Sequence, residues 1–335
     1  MTGVILRRLA QLPLILLAIY TLTLALAWLI PGNPLDKPEG RRPPPEIIEA
    51  MQAQYNLDSF GTFYITYLDS AVGLKYARES LSGRAARRTA DLKAAGLTPP
   101  PRHLFDLGPS LQYRDRTVNE IIAGSLPVSI TIGAGAILIA LALGLTAGIV
   151  GAVKPNSAAD AATLTIALVG ISLPSFVIGT ALMLIFSVWL RWLPVAEWGR
   201  GRDMILPMLT LSLPFAAYIA RLTRMGMIDT LRADFIRTAR AKGVPEARIL
   251  LKHALKNAFL PVLSYLGPAA ALAMTGSFIV EKVFNIPGMG QHFVSAVQNK
   301  DLFLIIGVVL IFATMLILFN LAVDVLYRWV DPRIE

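Results

Sequence analysis

Six uncharged, apolar runs alternate with polar connections along this chain of 335 residues. The runs lie within residues 9–35, 121–153, 161–190, 204–220, 257–280 and 302–323. They span 17 to 33 residues, and an α-helix needs about 20 residues to cross a bilayer. The pattern therefore predicts an all-α polytopic membrane protein with six transmembrane helices.

The orientation of these helices follows from the charges that flank them. Arg7 and Arg8 precede a first run that is too long for the apolar part of a signal peptide, so we expect a retained helix with its N-terminus inside. With six spans, the short inside connections and ends hold 14 Lys and Arg residues and the outside ones hold five. This asymmetry favours an N-in/C-in topology. The fourth run is short and contains Pro207 and Pro214, so a re-entrant segment is its alternative.

The remaining chain divides around these runs. Residues 1–35 form an N-terminal transmembrane helix, 36–120 a mainly helical extracytoplasmic region, 121–328 a core of five transmembrane helices and 329–335 a cytosolic tail. In the outer region we expect one helical run from Glu46 to about Leu68, after the break at residues 43–45. Residues of about 75–105 are rich in Arg, Ala and Ser, which is typical of a mobile or weakly folded insert.

Composition excludes several classes of protein. Hydrophobic residues make up 55% and charged residues 16% of the chain, and the mean hydropathy is +0.60, all far from the averages of soluble proteins. The net charge of +9 could indicate nucleic-acid binding, but the basic residues lie at the edges of apolar runs, where membrane orientation explains them better. The absence of cysteine from the sequence excludes disulfides and thiolate chemistry.

A basic stretch at residues 221–256 separates the fourth and fifth runs, with nine Lys and Arg residues against three acids. Because each mid-membrane Arg or Lys costs about 3 kcal/mol, we expect this stretch to lie in water. It predicts a helix from Asp229 to Lys242, a left-handed bend at Gly243 and a second helix from Pro245 to about Ala258. The second helix would present Arg248, Lys252 and Lys256 as one basic stripe.

Two interpretations fit the charges of this stretch. Its basic face could be solvated or rest on anionic lipid headgroups. Alternatively, the stretch could be a coupling element that inserts into a cytosolic ATPase.

The order of residues from Asp234 onward favours the second interpretation. The segment Arg237-Thr238-Ala239-Arg240-Ala241-Lys242-Gly243, followed by Ile249, Leu250, His253, Ala254, Asn257 and Pro261, resembles the EAA loop of binding-protein-dependent ABC importer permeases of the dipeptide and oligopeptide group. Further matches are Arg7-Arg8, Pro31-Gly32-Asn33-Pro34, Phe284 with Pro287-Gly288-Met289-Gly290, and Asp331-Pro332-Arg333. The resemblance implies the type I ABC importer permease fold, with a coupling loop at 221–257. It assigns ATPase coupling to Arg237, Thr238, Ala239, Arg240, Ala241, Lys242, Gly243, Glu246 and Arg248.

The same resemblance implies a function in transport. The chain would form half of a translocation pathway for peptides across the cytoplasmic (inner) membrane, together with a second homologous permease subunit, two ABC ATPase subunits and an extracytoplasmic solute-binding protein. No G-x-x-x-x-G-K-[ST] motif occurs, so ATP hydrolysis would belong to the separate subunits, and we expect no catalytic residue, cofactor or metal in this chain. Alternatives are the import of nickel or a glycoside by the same machinery, or a secondary transporter, which should show inverted repeats.

Candidate pathway residues lie in and beside the middle spans. Ser172, Pro174, Ser175, Ser212 and Pro214 could allow the local bends that a gated path needs, or they could simply let helices pack closely. Glu281 stands beside Lys282 at the outer end of the fifth run. It could form part of an outer gate, although a simple ion pair with that lysine is the favoured interpretation.

Overall fold

The computed structural model describes residues 2–31, 35, 45–96, 102–113 and 115–330. Across these ranges the chain is α-helical, and the β structure is limited to one isolated bridge between Pro109 and Thr117. Residues 32–34 of the first Pro-Gly segment, the prolines at 43 and 44, and residues 331–335 with the Asp-Pro-Arg motif lie outside the described ranges. The predicted all-α fold is confirmed.

Within the described ranges, five continuous segments are long and apolar enough to cross a membrane: Ala10–Leu29, Val118–Val153, Gly201–Leu231, Glu246–Val283 and Leu302–Leu326. They are built on helices α1 (Thr2–Leu29), α6 (Val118–Val153), α9 (Ile205–Leu231), α12 (Leu255–Met274) and α15 (Leu302–Val330). A bent pair stands between the second and third segments. In it, α7 (Ala158–Ser172) meets a helix made of α8 (Ser175–Met183) and a π-helical turn (Leu184–Trp189) at 107°. Counting the pair as one span gives six.

The break in this pair lies at a proline that the sequence pattern had marked. Leu173 is extended, with φ −83° and ψ 133°, and Pro174 follows with φ −58° and ψ 140°. A residue before proline avoids the α region because of the proline ring, so α7 ends at Ser172. The run with Pro207 and Pro214, in contrast, forms the unbroken 27-residue α9. The re-entrant alternative for that run is therefore wrong.

The outer region differs from its prediction in two places. The expected helix from Glu46 to Leu68 is two helices, α2 (Pro45–Tyr55) and α3 (Phe60–Ala71), because the chain turns at Asn56 with φ +55°. The expectation that the insert is weakly folded is also wrong, whereas its mobility stays a prediction. It contains α4 (Leu74–Leu81) and α5 (Arg84–Ala94), which agrees with the high helix propensity of Ala, Arg and Lys. Two shorter helices precede the last segment: α13 (Phe278–Val283) ends the fourth segment, and α14 (Met289–Gln298) lies between the fourth and the fifth.

Contacts divide the chain into two compact units. Unit 1 comprises residues 1–12, 125–291 and 314–335, and unit 2 comprises residues 13–124 and 292–313. Unit 2 is held by an aromatic cluster. The Tyr20 and Tyr67 rings stack at 5.6 Å, the Phe63 and Phe303 rings meet at 5.2 Å, and the Tyr20 hydroxyl donates to the Tyr64 carbonyl at 2.8 Å. Since aromatic pairs add about 0.5–1.5 kcal/mol each beyond area burial, this cluster fixes α1 and α3 firmly.

Unit 1 packs its helices closely through small residues on α6. A Cβ placed on Gly144 would lie 2.7 Å from the Ala216 carbonyl oxygen, and one on Gly148 would lie 2.5 Å from Cβ of Thr223. Side chains at these two positions would therefore push α6 and α9 apart. Beside this contact, buried Ile132, Leu206 and other apolar residues of unit 1 form a continuous core.

Candidate functional site

A hairpin follows directly from α9, and we call residues 234–256 the basic hairpin. Helix α10 (Asp234–Ala241) and the short α11 (Glu246–Arg248) are its two arms, and the second arm continues through a π-helical turn (Ile249–Ala254) into α12. Gly243 has φ +74°, so the predicted left-handed bend is confirmed. The first arm begins at Asp234 rather than at Asp229, because α9 extends to Leu231 and Ala233 is extended with ψ 151°.

The bend is stabilised by two backbone hydrogen bonds. The Gly243 amide donates to the Arg240 carbonyl at 2.9 Å, and the Val244 amide donates to the Ala239 carbonyl at 3.2 Å. These are the two bonds of the Schellman motif, which satisfies the last carbonyls of a helix when the next residue is left-handed. Pro245 then precedes the first residue of α11. Local sequence therefore determines both the end of one arm and the start of the other.

The underside of the basic hairpin is apolar, and its central side chains are fully buried. Ile236 and Ile249 are 0% exposed and pack in one cluster with Met227 of α9 and Ala152 of α6. Ala254 and Ala258 complete this cluster. Burying an isoleucine side chain contributes about 1.5–3 kcal/mol, so the two isoleucines hold the hairpin against the ends of the long helices.

The upper side of the hairpin presents the residues that the resemblance assigned to coupling. Eight of the nine are exposed: Arg237, Thr238, Arg240, Ala241, Lys242, Gly243, Glu246 and Arg248. Ala239 is half-buried and belongs to the apolar underside. The hairpin thus has one face that the protein itself buries and one that is free for contact.

An ion pair joins the two arms across the bend. The Arg240 guanidinium donates from Nη2 to Glu246 Oε1 at 2.7 Å and from Nε to Oε2 at 3.2 Å. The hydrogen bonds to the Glu246 carboxylate raise the pKa of Arg240. Both side chains are about half exposed, so solvent screening limits the pair to about 1 kcal/mol or less. Its two parallel bonds serve mainly to fix the geometry of the tip.

The basic stripe of the second arm is altered by the π-helical turn. Arg248, Lys252 and Lys256 are all exposed, as expected. A π-helical turn contains more residues than an α-helical one, so the three side chains do not stand at the regular α-helical interval. Leu251 lies among them with 62% of its surface exposed, which adds an apolar group to this face.

A second, buried ion pair was missed by the sequence interpretation. Arg224 was grouped with the residues expected in water, but it lies within α9 and its side chain is only 19% exposed. Its Nε donates to Asp160 Oδ1 at 2.5 Å and its Nη2 to Oδ2 at 2.7 Å. Asp160 is 1% exposed and stands in the first turn of α7. Asp160 stands directly before the third apolar run, and an acid beside such a run needs a partner, which is the signal in the sequence that could have identified it.

The candidate pathway residues are placed in different environments. Ser172 and Pro174 are exposed at the 107° bend, and Ser175 is half-buried beside them. Ser212 is 0% exposed and its hydroxyl donates to the Leu209 carbonyl at 2.7 Å, within its own helix. Pro214 is half-buried one residue beyond Leu213. Among the described contacts, none joins the serines at the bend to Ser212.

Glu281 does not pair with Lys282, so the favoured interpretation of this residue is wrong. Its carboxylate is buried, accepting a hydrogen bond from Ser129 Oγ at 2.8 Å and one from the Gln291 amide at 3.1 Å. A Cβ on Gly288 would lie 2.4 Å from its carboxylate, so only glycine permits this approach. Lys282 lies on the helix surface, whereas the Glu281 carboxylate points inward. Through its bonds to Ser129 of α6 and to the Gln291 amide, Glu281 holds the segment after α13 against α6, and the Met289 amide also donates to Ser129.

Comparisons with known proteins agree on one family. The family model described as "Binding-protein-dependent transport system inner membrane component" matches residues 125–335. The chain is 40% identical over 335 residues to "Oligopeptide transport system permease protein OppB" of Salmonella typhimurium (strain LT2), covering 99% of this chain and 98% of that protein. It is 36% identical over 321 residues to "Dipeptide transport system permease protein DppB" of Bacillus subtilis (strain 168), covering 96% and 94%.

One solved structure shows the same fold. It is described as "Inward facing conformations of the MetNI methionine ABC transporter", and it superimposes with a TM-score of 0.50 at 15% identity. The match covers 64% of this chain and 97% of that one. At this identity the likeness concerns the arrangement of helices alone.

Proposed function

The chain belongs to the family of binding-protein-dependent transport system inner membrane components, and on this premise we propose that its basic hairpin couples a separate ATPase to peptide import. The protein is a permease subunit of a peptide ABC importer and a multi-pass protein of the cytoplasmic membrane. In the proposal the chain hydrolyses no ATP itself. Two ABC ATPase subunits supply the energy, and a second homologous permease completes the path.

One observation supports this role of the hairpin above all: its two faces. The buried face, with Ile236 and Ile249, fixes the hairpin to α6, α9 and α12. The exposed face presents Arg237, Lys242 and Glu246 with Phe235, an apolar side chain that is 46% exposed. An element that must transmit motion needs a rigid attachment on one side and a contact surface on the other. The hairpin has both.

Two features of the pathway are consistent with this proposal. The bend at Leu173–Pro174 divides the third span and places Ser172 and Ser175 at the break, where unpaired backbone groups can meet water or substrate. We propose that this break lines the path. Ser212, Pro214 and Glu281 act in this proposal as packing residues around it, because each is satisfied or enclosed by its own unit.

An extracytoplasmic solute-binding protein delivers the peptide in this proposal. Two relatives are named as oligopeptide and dipeptide permeases, which supports peptides over nickel or glycosides as the cargo.

The test is reconstitution of the complete transporter with the exposed face of the hairpin altered. A triple change of Arg237, Lys242 and Arg248 to glutamate reverses the charge of that face and leaves the buried isoleucines in place. We expect the permease to fold and the ATPase subunits to dissociate from it in pull-down. Retention of the ATPase together with wild-type peptide uptake would contradict the proposal.

A further inference from the structure

A chain of contacts connects the basic hairpin to the bent third span, and the buried pair of Asp160 and Arg224 stands in its middle. Arg224 lies two helical turns before α9 ends at Leu231, and the hairpin begins three residues after that end. Asp160 lies in the first turn of α7, the helix that ends at the 107° bend. The pair therefore joins the helix that enters the hairpin to the helix that leads to the candidate path.

The geometry of the pair fixes both distance and direction. Two parallel hydrogen bonds, at 2.5 and 2.7 Å, hold the planar guanidinium against the planar carboxylate. Asp160 Oδ2 also accepts the Asn156 amide at 2.8 Å, so the connection between α6 and α7 is tied to the same group. With only 1% of Asp160 exposed, water offers little competition for these bonds.

Close packing around the pair removes the space in which it could slip. A Cβ on Gly151 of α6 would lie 3.0 Å from Asp160 Oδ1, 2.9 Å from Thr163 Oγ1 and 3.4 Å from Arg224 Cδ. Three helices thus converge on one point. Because α7 has 15 residues, it is about 22 Å long. A small rotation of its first turn, where Asp160 lies, therefore displaces its last turn at the bend.

We propose that Asp160 and Arg224 are positioning residues through which movement of the basic hairpin reaches the bend of the third span. This inference rests on the proposed function, since it requires an ATPase that moves the hairpin. The pair touches neither ATP nor peptide. It acts by making α7 follow α9, so that closing of the ATPase subunits changes the opening at Leu173–Pro174.

A merely structural pair and a coupling joint respond differently when both charges are removed together. Replacing a buried pair by neutral groups can leave stability unchanged, because no unpaired charge remains. Asp160→Asn with Arg224→Gln should therefore fold and assemble, yet lose the rigid two-bond connection. Arg224→Lys retains the charge and loses the planar geometry, so it tests the connection independently.

The experiment measures peptide imported per ATP hydrolysed in the complete transporter in vesicles. We expect the double neutral variant and Arg224→Lys to assemble with their ATPase subunits, hydrolyse ATP and lower this ratio by about tenfold, within the usual range of coupling between two sites. The exchanged pair, Asp160→Arg with Arg224→Asp, should recover part of the ratio. Lys154→Gln removes an exposed charge from the same connection and should keep the wild-type ratio.

The outcomes separate this inference from the proposed function. An assembled double neutral variant with the wild-type ratio would contradict the inference that the Asp160–Arg224 pair transmits movement, and it would leave the proposed role of the hairpin intact. If that variant fails to assemble, a wild-type ratio in Arg224→Lys would contradict the same inference. If the unmodified chain binds no ATPase subunit at all, the proposed function itself fails.

Discussion

Two helical hairpins in this protein share a sequence pattern and differ in their attachment. The basic hairpin and the insert hairpin, residues 74–94, each consist of two short helices that carry basic residues on either side of a left-handed glycine, with φ +74° at Gly243 and +66° at Gly83. In the basic hairpin Ile236 and Ile249 are 0% exposed. In the insert hairpin α4 has no buried residue, and Leu81 is 90% exposed.

Under the proposed function, in which only the basic hairpin couples to an ATPase, charge and a glycine bend do not by themselves indicate a coupling element. Surface ion pairs such as Arg78 with Asp69, at 2.7 Å, connect the insert hairpin to its own unit, and such pairs contribute about 1 kcal/mol or less. The basic hairpin is attached by buried apolar side chains, which contribute more and do not weaken with salt. We propose that this rigid attachment is what allows the basic hairpin to transmit force.

The largest expected effect comes from removing that attachment. Ile236→Ala should destabilise the basic hairpin by about 2–5 kcal/mol, because it leaves a cavity in a buried cluster. Peptide uptake should be lost with it. The measurement is amide hydrogen exchange of residues 234–256 together with uptake. Leu81→Ala is the matched change in the insert hairpin and should alter neither; equal loss of protection in both hairpins would remove the distinction between them.

The second effect concerns the two glycine bends. A Cβ at Gly243 or at Gly83 would meet no atom within 4 Å, so the main cost of valine at either position is that of the left-handed backbone, about 1–2 kcal/mol or more. We expect Gly243→Val to lower peptide imported per ATP hydrolysed and Gly83→Val to leave that ratio unchanged. Gly243→Asn should retain most of the ratio, since asparagine tolerates this conformation. A normal ratio in Gly243→Val would show that the bend has no role in coupling.

A smaller effect is expected at the exposed ion pair of the tip. A double-mutant cycle with Arg240→Gln and Glu246→Gln should give an interaction energy below about 1 kcal/mol in thermal unfolding of the detergent-solubilised permease. The value should fall further in high salt, because exposed charges are screened. An interaction of several kcal/mol would mean that the tip is held by its charges rather than by the buried isoleucines.

The smallest effect should come from replacing residues 74–96 of the insert with a flexible Gly-Ser linker. Peptide imported per ATP should stay at the wild-type value, because no part of the proposed coupling route passes through unit 2. The same linker in place of residues 234–244 should abolish uptake. If the amount of peptide imported per ATP falls when the insert is removed, coupling depends on the insert hairpin, and the proposal that it depends on the basic hairpin alone is wrong.

Features that depend on neighbouring residues could be predicted from the sequence. The apolar runs, the left-handed Gly243 and the extended pair at Leu173–Pro174 follow from local preferences, and the structure contains all three. The two helices of the insert do not follow from its overall composition, because a segment rich in Arg, Ala and Ser resembles a weakly folded one although Arg and Ala are good helix formers.

Features that depend on distant residues could not be predicted. Arg224 and Asp160 are 64 positions apart, and Glu281 and Ser129, which are hydrogen-bonded to each other, are 152 positions apart. Counting charges along the chain grouped Arg224 with exposed neighbours and paired Glu281 with the adjacent lysine. Only packing of the helices shows that each of these charges is buried with a remote partner.

Site-directed crosslinking at the tip of the basic hairpin tests the central claim most directly. The chain contains no cysteine, so Ala241→Cys and Ser82→Cys each introduce a single reactive position on an exposed site. In the assembled transporter we expect Ala241→Cys to crosslink to an ATPase subunit and Ser82→Cys, in the insert hairpin, to form no such product. Labelling of Ala241→Cys by an impermeant reagent from the extracytoplasmic side, or its failure to reach any ATPase subunit, would contradict the account.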